Sequence, residues 1–144
     1  MFSIHVEHTI AKPINDVFQI LSDHQNYDQF KVCDESSLLL QGKSKPNGDG
    51  ALRSIRLGKI VFEETIFDYQ PPYQFQYKIV KSKPFKVDHY LGELKLNEVH
   101  GGTHVVWRSK GAVPNLWFGW LAEIFINKQG PKGFMSILRQ IERM

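Results

Sequence analysis

The sequence predicts an α+β fold: a curved, seven-stranded antiparallel sheet around one long C-terminal helix, with two short helices after the first strand. Three observations carry this. Period-two alternation of apolar and polar residues recurs through most of the chain. Short turn-forming clusters separate the alternating runs, as in consecutive hairpins. The last thirty or so residues instead space their apolar side chains at helical intervals. A strongly curved antiparallel sheet has one apolar face to bury, and a single long helix can cover it.

Phe2–Ile10 alternates Ile4, Val6, His8 and Ile10 against Ser3, His5, Glu7 and Thr9, which reads as a strand. Pro13 suits a first helical position, and Val17, Phe18 and Leu21 follow at helical spacing, giving a helix over Pro13–Ser22. Asp23 caps a second short helical turn toward Phe30. Ser36–Gln41 returns to strand, and Lys43–Gly50 is a turn cluster of Lys, Pro, Asn and Gly. Strands follow over Ala51–Leu57, Lys59–Tyr69, Gln74–Lys81, Lys86–Asn97 and Thr103–Lys110. Gly58, Pro71-Pro72, Pro84 and Gly101-Gly102 bound them, so the order is an antiparallel meander. Pro114 opens the last segment. Leu116–Ile126 and then Phe134, Ile137, Leu138 and Ile141 read as helix. Gly130-Pro131 is expected to kink or split it, because proline lacks a donor and glycine is a common stop.

Composition narrows the function classes. The 144 residues suit one domain, residues 1–144, without a disulfide or metal to hold it. Eighteen aromatics stand against one cysteine, Cys33, which rules out a disulfide framework and a cysteine-based zinc site. The net charge of +3 is small and unclustered. In the densest basic stretch, Lys78–Lys86, lysines alternate with apolar residues as on the solvent side of a strand, so no nucleic-acid partner is expected. Residues 1–10 lack the pattern of a signal peptide. The longest apolar run, Leu116–Ile126, is interrupted by Glu123 and falls short of the ~20 residues of a spanning helix. A cytoplasmic location is the default expectation, and a lone thiol suits it.

The chain also resembles a known family. The pieces are Ile10-Ala11-Lys12-Pro13 with Val17-Phe18 and Leu21-Ser22-Asp23, then Tyr27. Asp49-Gly50-Ala51-Leu52-Arg53, Phe62-Glu63-Glu64, Pro71-Pro72 and Tyr77 follow. Tyr90-Leu91-Gly92 and Gly101-Gly102-Thr103-His104-Val105-Val106-Trp107 complete the set. In order and spacing these resemble the START/Bet v 1-like (SRPBCC) superfamily, and within it the polyketide cyclase/dehydrase-like proteins. Phe30 stands where that family commonly has tryptophan. The resemblance implies a helix-grip fold with a cavity between sheet and helix. It also implies an apolar small-molecule ligand such as a lipid, polyketide or aromatic compound. Members include carriers, cyclases and hydrolases, so fold alone does not decide function.

Alternation assigns the inward faces of the strands. Arg53, Ile55 and Leu57 share one face; Ile60, Phe62, Glu64 and Ile66 share the next. Phe75, Tyr77 and Ile79 follow, then Asp88 and Tyr90 with Leu94 and Leu96 in the absence of a bulge, then Val105, Trp107 and Ser109. Apolar walls with a few placed polar groups are what a ligand pocket needs. A hairpin centred near Gly58 and Lys59 sets Arg53 opposite Glu64. A buried charge needs a partner, and these two are each other's nearest candidates. The pair reads either as an internal brace or as an anchor for a carboxylate or hydroxyl on the ligand. Tyr77, Tyr90 and Trp107 read as pocket wall or as plain core.

Asn115–Leu121 is apolar almost all round a helix, where a covering helix needs one stripe. Trp117, Trp120, Leu121, Ile124 and Phe125 can share the inward stripe, with Phe118, Ala122 and Ile126 on the flank. They either pack on the short helices or form a lid at the cavity mouth, or touch a membrane or partner.

Catalytic constellations are sparse. The six histidines show no convergent metal spacing and are taken as surface or incidental residues. Ser22-Asp23-His24 has triad residue types without triad geometry, and Cys33 lacks an activating neighbour beyond Lys31. No cofactor site is expected. Enzymatic chemistry would be proton transfer with Glu64 or Asp88 as base and Arg53 or Tyr90 stabilising an enolate. The leading expectation is a non-catalytic binder whose site comprises Arg53, Ile55, Phe62, Glu64, Phe75, Tyr77, Tyr90, Trp107, Trp117, Trp120 and Leu121. The alternatives are a cyclase or dehydratase using a cavity carboxylate, and an interaction module acting through the Trp117/Phe118/Trp120 surface. The chain is taken as a monomer or homodimer.

Overall fold

The alternating runs fold as seven strands in a computed structural model that describes residues 1–144. They are β1 (Phe2–Ile10), β2 (Glu35–Leu40), β3 (Leu52–Leu57), β4 (Ile60–Gln70), β5 (Gln74–Lys83), β6 (Asp88–Val99) and β7 (Gly102–Ala112). All pair antiparallel in one sheet of order β1-β7-β6-β5-β4-β3-β2. The meander runs from β2 to β7, and β1 closes the far edge beside β7. Because β1 and β2 lie at opposite edges, the chain between them must cross the sheet's full width. Helix α1 (Ile14–Leu21) and a 3-10 segment (His24–Gln29) make that crossing. Helix α1 buries Ile14, Val17, Phe18 and Leu21, the i, i+3, i+4, i+7 face of an amphipathic helix.

The hairpin registers decide which side chains meet. The β3–β4 turn centres on Gly58 and Lys59, and Gly58 takes a φ of 63°, which glycine adopts without a Cβ penalty. Arg53 therefore pairs across from Glu64, as the turn position predicts. Two bulges change the faces. One between Glu63 and Glu64 leaves Val80 exposed and keeps Ile79 facing in. The other, between His89 and Leu91, turns His89 inward and Tyr90 outward.

Helix α2 spans Gly119–Glu142 without a break. It starts three residues later than the spacing of Leu116 suggests, and it continues through Gly130-Pro131, where a kink or split is expected. Gly130 has a different cause from a helix stop. A Cβ there would sit 2.4 Å from Ile4 Cδ1, so the missing side chain lets α2 lie close on β1.

Packing divides the molecule into a closed end and an open end. At the closed end Val17, Phe18 and Leu21 of α1 meet Phe30, Phe75, Leu94, Val105, Leu138 and Ile141 in one cluster. Each such fully buried side chain contributes about 1.5–3 kcal/mol. At the other end α2 approaches the sheet most closely along β1 and stands further from β3, β4 and β5. A smaller cluster of Phe2, Ile4, Val87 and Val113 lines that end.

Candidate functional site

The open end encloses a cavity of about 490 Å³ between α2 and the concave face of the sheet. Seventeen of its 24 lining residues are hydrophobic. Ile55 (β3), Phe62 (β4), Tyr77 (β5) and Trp107 (β7) supply the sheet wall. Ile126, Gly130, Gly133 and Ile137 supply the helix wall, at spacings of four, three and four that form a single stripe. A Cβ at Gly133 would meet nothing within 4 Å. This glycine therefore leaves room in the middle of the helix wall.

The polar groups gather around Arg53. This side chain is 1% exposed, and its partner Glu64 is 6% exposed. Arg53 Nε donates to Glu64 Oε1 at 2.8 Å, and Nη1 donates to His24 Nδ1 at 3.1 Å. His24 Nε2 donates to the Asn47 carbonyl at 3.0 Å, so the ring is the neutral Nε2–H tautomer. The guanidinium lies over the rings of Tyr27 and Tyr77, 4.9 and 5.0 Å from their centroids, as cation–π contacts. Burial alone lowers the guanidinium's pKa, but the Glu64 carboxylate, then Tyr27 and Tyr77, raise it on balance, so Arg53 stays charged. Burial first, and Arg53 second, push His24 down to about 3.

Tyr77 is held by its own set of contacts. Its hydroxyl accepts Trp107 Nε1–H at 2.9 Å, and Trp107 stacks on Phe134 of α2 with centroids 4.2 Å apart. Gly92 of β6 admits the tyrosine ring, since a Cβ there would lie 2.6 Å from Tyr77 Cε2. Burial, then the Glu64 charge, raises the Tyr77 pKa, so the phenol is protonated and can donate.

His89 and Ser109 resemble a catalytic dyad but run the wrong way. His89 Nδ1 accepts the Ile79 backbone N–H at 3.1 Å, which places the ring proton on Nε2. Nε2 then donates to Ser109 Oγ at 2.8 Å instead of drawing a proton from it. Burial, and then Lys78, push the imidazole down to about 4, which makes it a poor base.

Several expected site residues lie elsewhere. Tyr90 is 62% exposed because the bulge rotates it out of the wall. Asp88 precedes that bulge, faces Lys86 at 3.5 Å and does not line the cavity. Phe75 points inward but at the closed end, in the core against Phe18 and His24. Trp117, Trp120 and Leu121 do not form an inward stripe. They are exposed, at 90%, 63% and 55%, and Trp117 precedes the helix. Ile126, placed on the flank by the sequence, faces the cavity instead. Arg53, Ile55, Phe62, Glu64, Tyr77 and Trp107 do come together around it.

Gly133 on the cavity wall, His24 against Arg53 and His89 stacked behind Tyr77 are positions the sequence does not single out. His24 and His89 are buried, contrary to the expectation of incidental surface histidines. A donor count offers a signal for His24, because a buried guanidinium carries five N–H groups and one carboxylate cannot satisfy them all. No group of three or more His, Cys, Asp or Glu side chains is placed to hold a metal ion. No helix is long and apolar enough to cross a membrane.

Comparisons with known proteins agree with this geometry. TTHA0849 from Thermus thermophilus superposes with a TM-score of 0.79 at 16% identity, over 98% of this chain and 94% of that one. A START superfamily protein from Mycobacterium smegmatis gives 0.77 at 9% identity, over 99% of both chains. The Zhui aromatase/cyclase from Streptomyces sp. R1128 gives 0.75 at 18% identity, over 98% and 94%. At these identities the likeness is one of fold. No curated protein matches the sequence. The profile described as polyketide cyclase / dehydrase and lipid transport matches residues 1–137, nearly the whole chain, and the chain therefore belongs to that family.

Proposed function

We propose that this protein binds an apolar small molecule in the cavity between α2 and the sheet, as a carrier or sensor and not as a catalyst. The cavity itself carries this reading: its volume falls in the ~300–1,000 Å³ range of small-molecule sites, and apolar walls surround a few polar groups. Proton-transfer chemistry has less support. Asp88 is outside the cavity, the Glu64 carboxylate is held in a buried ion pair with Arg53, and His89 donates to Ser109. The test is equilibrium binding of an apolar aromatic probe, naphthalene, followed by ligand-induced shifts in NMR spectra. Saturable binding with shifts at Ile55, Phe62 and Gly133 supports the reading, and its absence refutes it.

A second reading concerns the outer face of α2, whose first half is inverted. Polar side chains there turn to the protein: Glu123 Oε2 accepts the Val113 N–H at 2.9 Å, and Asn127 Oδ1 accepts the Ser3 N–H at 2.8 Å. These bonds fix the helix rotation, so Leu121 and Ile124 face solvent, and Trp120 in the first turn is exposed as well. Lys128 and Lys132 are exposed four and eight residues beyond Ile124, and Phe125 continues the apolar face to the cavity mouth. An apolar stripe followed by lysines suits an anionic membrane surface, from which an apolar ligand can enter. Co-sedimentation with phosphatidylserine-containing vesicles, lost in Trp117→Ala/Trp120→Ala, supports this reading. Equal recovery with and without vesicles refutes it.

A further inference from the structure

We propose that the cavity selects ligands with an uncharged polar head that both donates and accepts a hydrogen bond, and rejects their carboxylate analogues. The inference rests on the ligand-binding reading above. It comes from counting the bonds of the buried pair. Arg53 uses Nε and Nη1, and Glu64 uses Oε1. Beyond these bonds and the Tyr27 hydroxyl, which also interacts with the guanidinium, Arg53 Nη2 and Glu64 Oε2 make no hydrogen bond of ordinary geometry with the protein, and no fully enclosed polar side-chain atom is unpaired. Both residues line the cavity, which makes this donor and acceptor the groups of the pair left for a ligand. They offer a ligand one donor and one acceptor side by side. The Tyr77 hydroxyl adds a further proton to donate, because its oxygen already accepts from Trp107.

The charge balance excludes an anion. Arg53 is already neutralised by Glu64 at 2.8 Å, and His24 beside it is neutral. A ligand carboxylate at this position would place two anions on one cation away from water, where like charges repel strongly. An amide, phenol, enol or alcohol brings the same hydrogen-bonding atoms without that repulsion. Lys132 is the one other charged group lining the cavity. It is exposed, where solvent screens it.

The experiment compares three probes of one ring size: naphthalene, 2-naphthamide and 2-naphthoate, titrated into the wild-type chain near neutral pH. The amide and the carboxylate have the same shape and differ in charge. The proposal expects 2-naphthamide to bind at least about tenfold more tightly than 2-naphthoate. Naphthoate binding should strengthen as its carboxylate is protonated toward acid pH. Glu64→Gln, which frees the Arg53 charge, should reverse the preference. Equal or tighter binding of naphthoate by the wild type overturns the proposal while leaving the cavity reading in place, provided naphthalene binds. If none of the three binds, the cavity reading and this proposal fall together. The wild-type comparison stands even if Glu64→Gln does not fold.

Discussion

Gly133 is the sharpest place to perturb this protein, because a single added side chain tests both the empty space and its use. Gly133 shares a helix stripe with Ile126 and Ile137, and its Cβ position is open within 4 Å. Gly133→Ala should add only helix propensity, worth about 1 kcal/mol, and leave most of the cavity free. Gly133→Leu adds a branched apolar side chain that reaches between the two walls. Full burial of leucine is worth about 1.5–3 kcal/mol, and the cavity supplies part of it. Together with propensity the gain should be about 2 kcal/mol. For a chain of this length that is a rise in Tm of roughly 6–8 °C, read by calorimetry or circular dichroism. Naphthalene affinity should fall by at least about tenfold in Gly133→Leu and persist in Gly133→Ala. If Gly133→Leu leaves Tm and probe affinity unchanged, the helix face is misassigned and the reasoning fails.

Three further outcomes follow from the same geometry. Glu64→Gln should cost about 3–5 kcal/mol by stranding a buried cation, lowering a urea midpoint by about 2 M. The double variant Arg53→Met/Glu64→Leu should stay near wild type, and equal losses in both would show that the charge is not the cause. Stability should fall in mild acid. His24 and His89 titrate near 3 and 4 when folded against an ordinary 6.5, so the unfolded chain takes up protons first as pH drops. Their stabilisation is complete above about pH 7 and is lost as pH falls below 6.5, by about 2 kcal/mol each at pH 5. Urea unfolding at pH 8 and pH 5 measures it, and a flat profile contradicts the two buried neutral rings. Gly92→Ala should destabilise by about 1–3 kcal/mol, since its methyl would overlap the Tyr77 ring. An unchanged urea midpoint would mean that the ring has room to move.

The sheet and the Arg53–Glu64 pair are legible because strands have a fixed period and a glycine turn sets the hairpin register. What depends on local departures from that period is not. The bulge at His89–Leu91 has no signature in the alternation, which therefore assigns Tyr90 and Asp88 to the wall and does not turn His89 inward, where it is buried against Tyr77 and Ser109. The phase of α2 is obscured for a different reason. Leu116–Ile126 is apolar on every side, so hydrophobicity there selects no face. The C-terminal residues Phe134, Ile137, Leu138 and Ile141 do define one. Carried back through an unbroken helix, their phase turns Gly130, Asn127 and Glu123 to the protein side and Leu121 outward. Treating Gly130-Pro131 as a break severs that link. Glycine reads in sequence as a weak point of a helix, but at residues 130 and 133 its role is close approach and open volume.

A ligand cavity between sheet and helix must take up an uncharged apolar aromatic when the chain is folded. Naphthalene titrated into isotope-labelled protein should bind one-to-one, with NMR shift changes centred on Ile55, Phe62, Gly133 and Phe134 and reduced in Gly133→Leu. No saturable change, or changes confined to Trp117 and Trp120 on the outer face, would contradict a ligand cavity between sheet and helix.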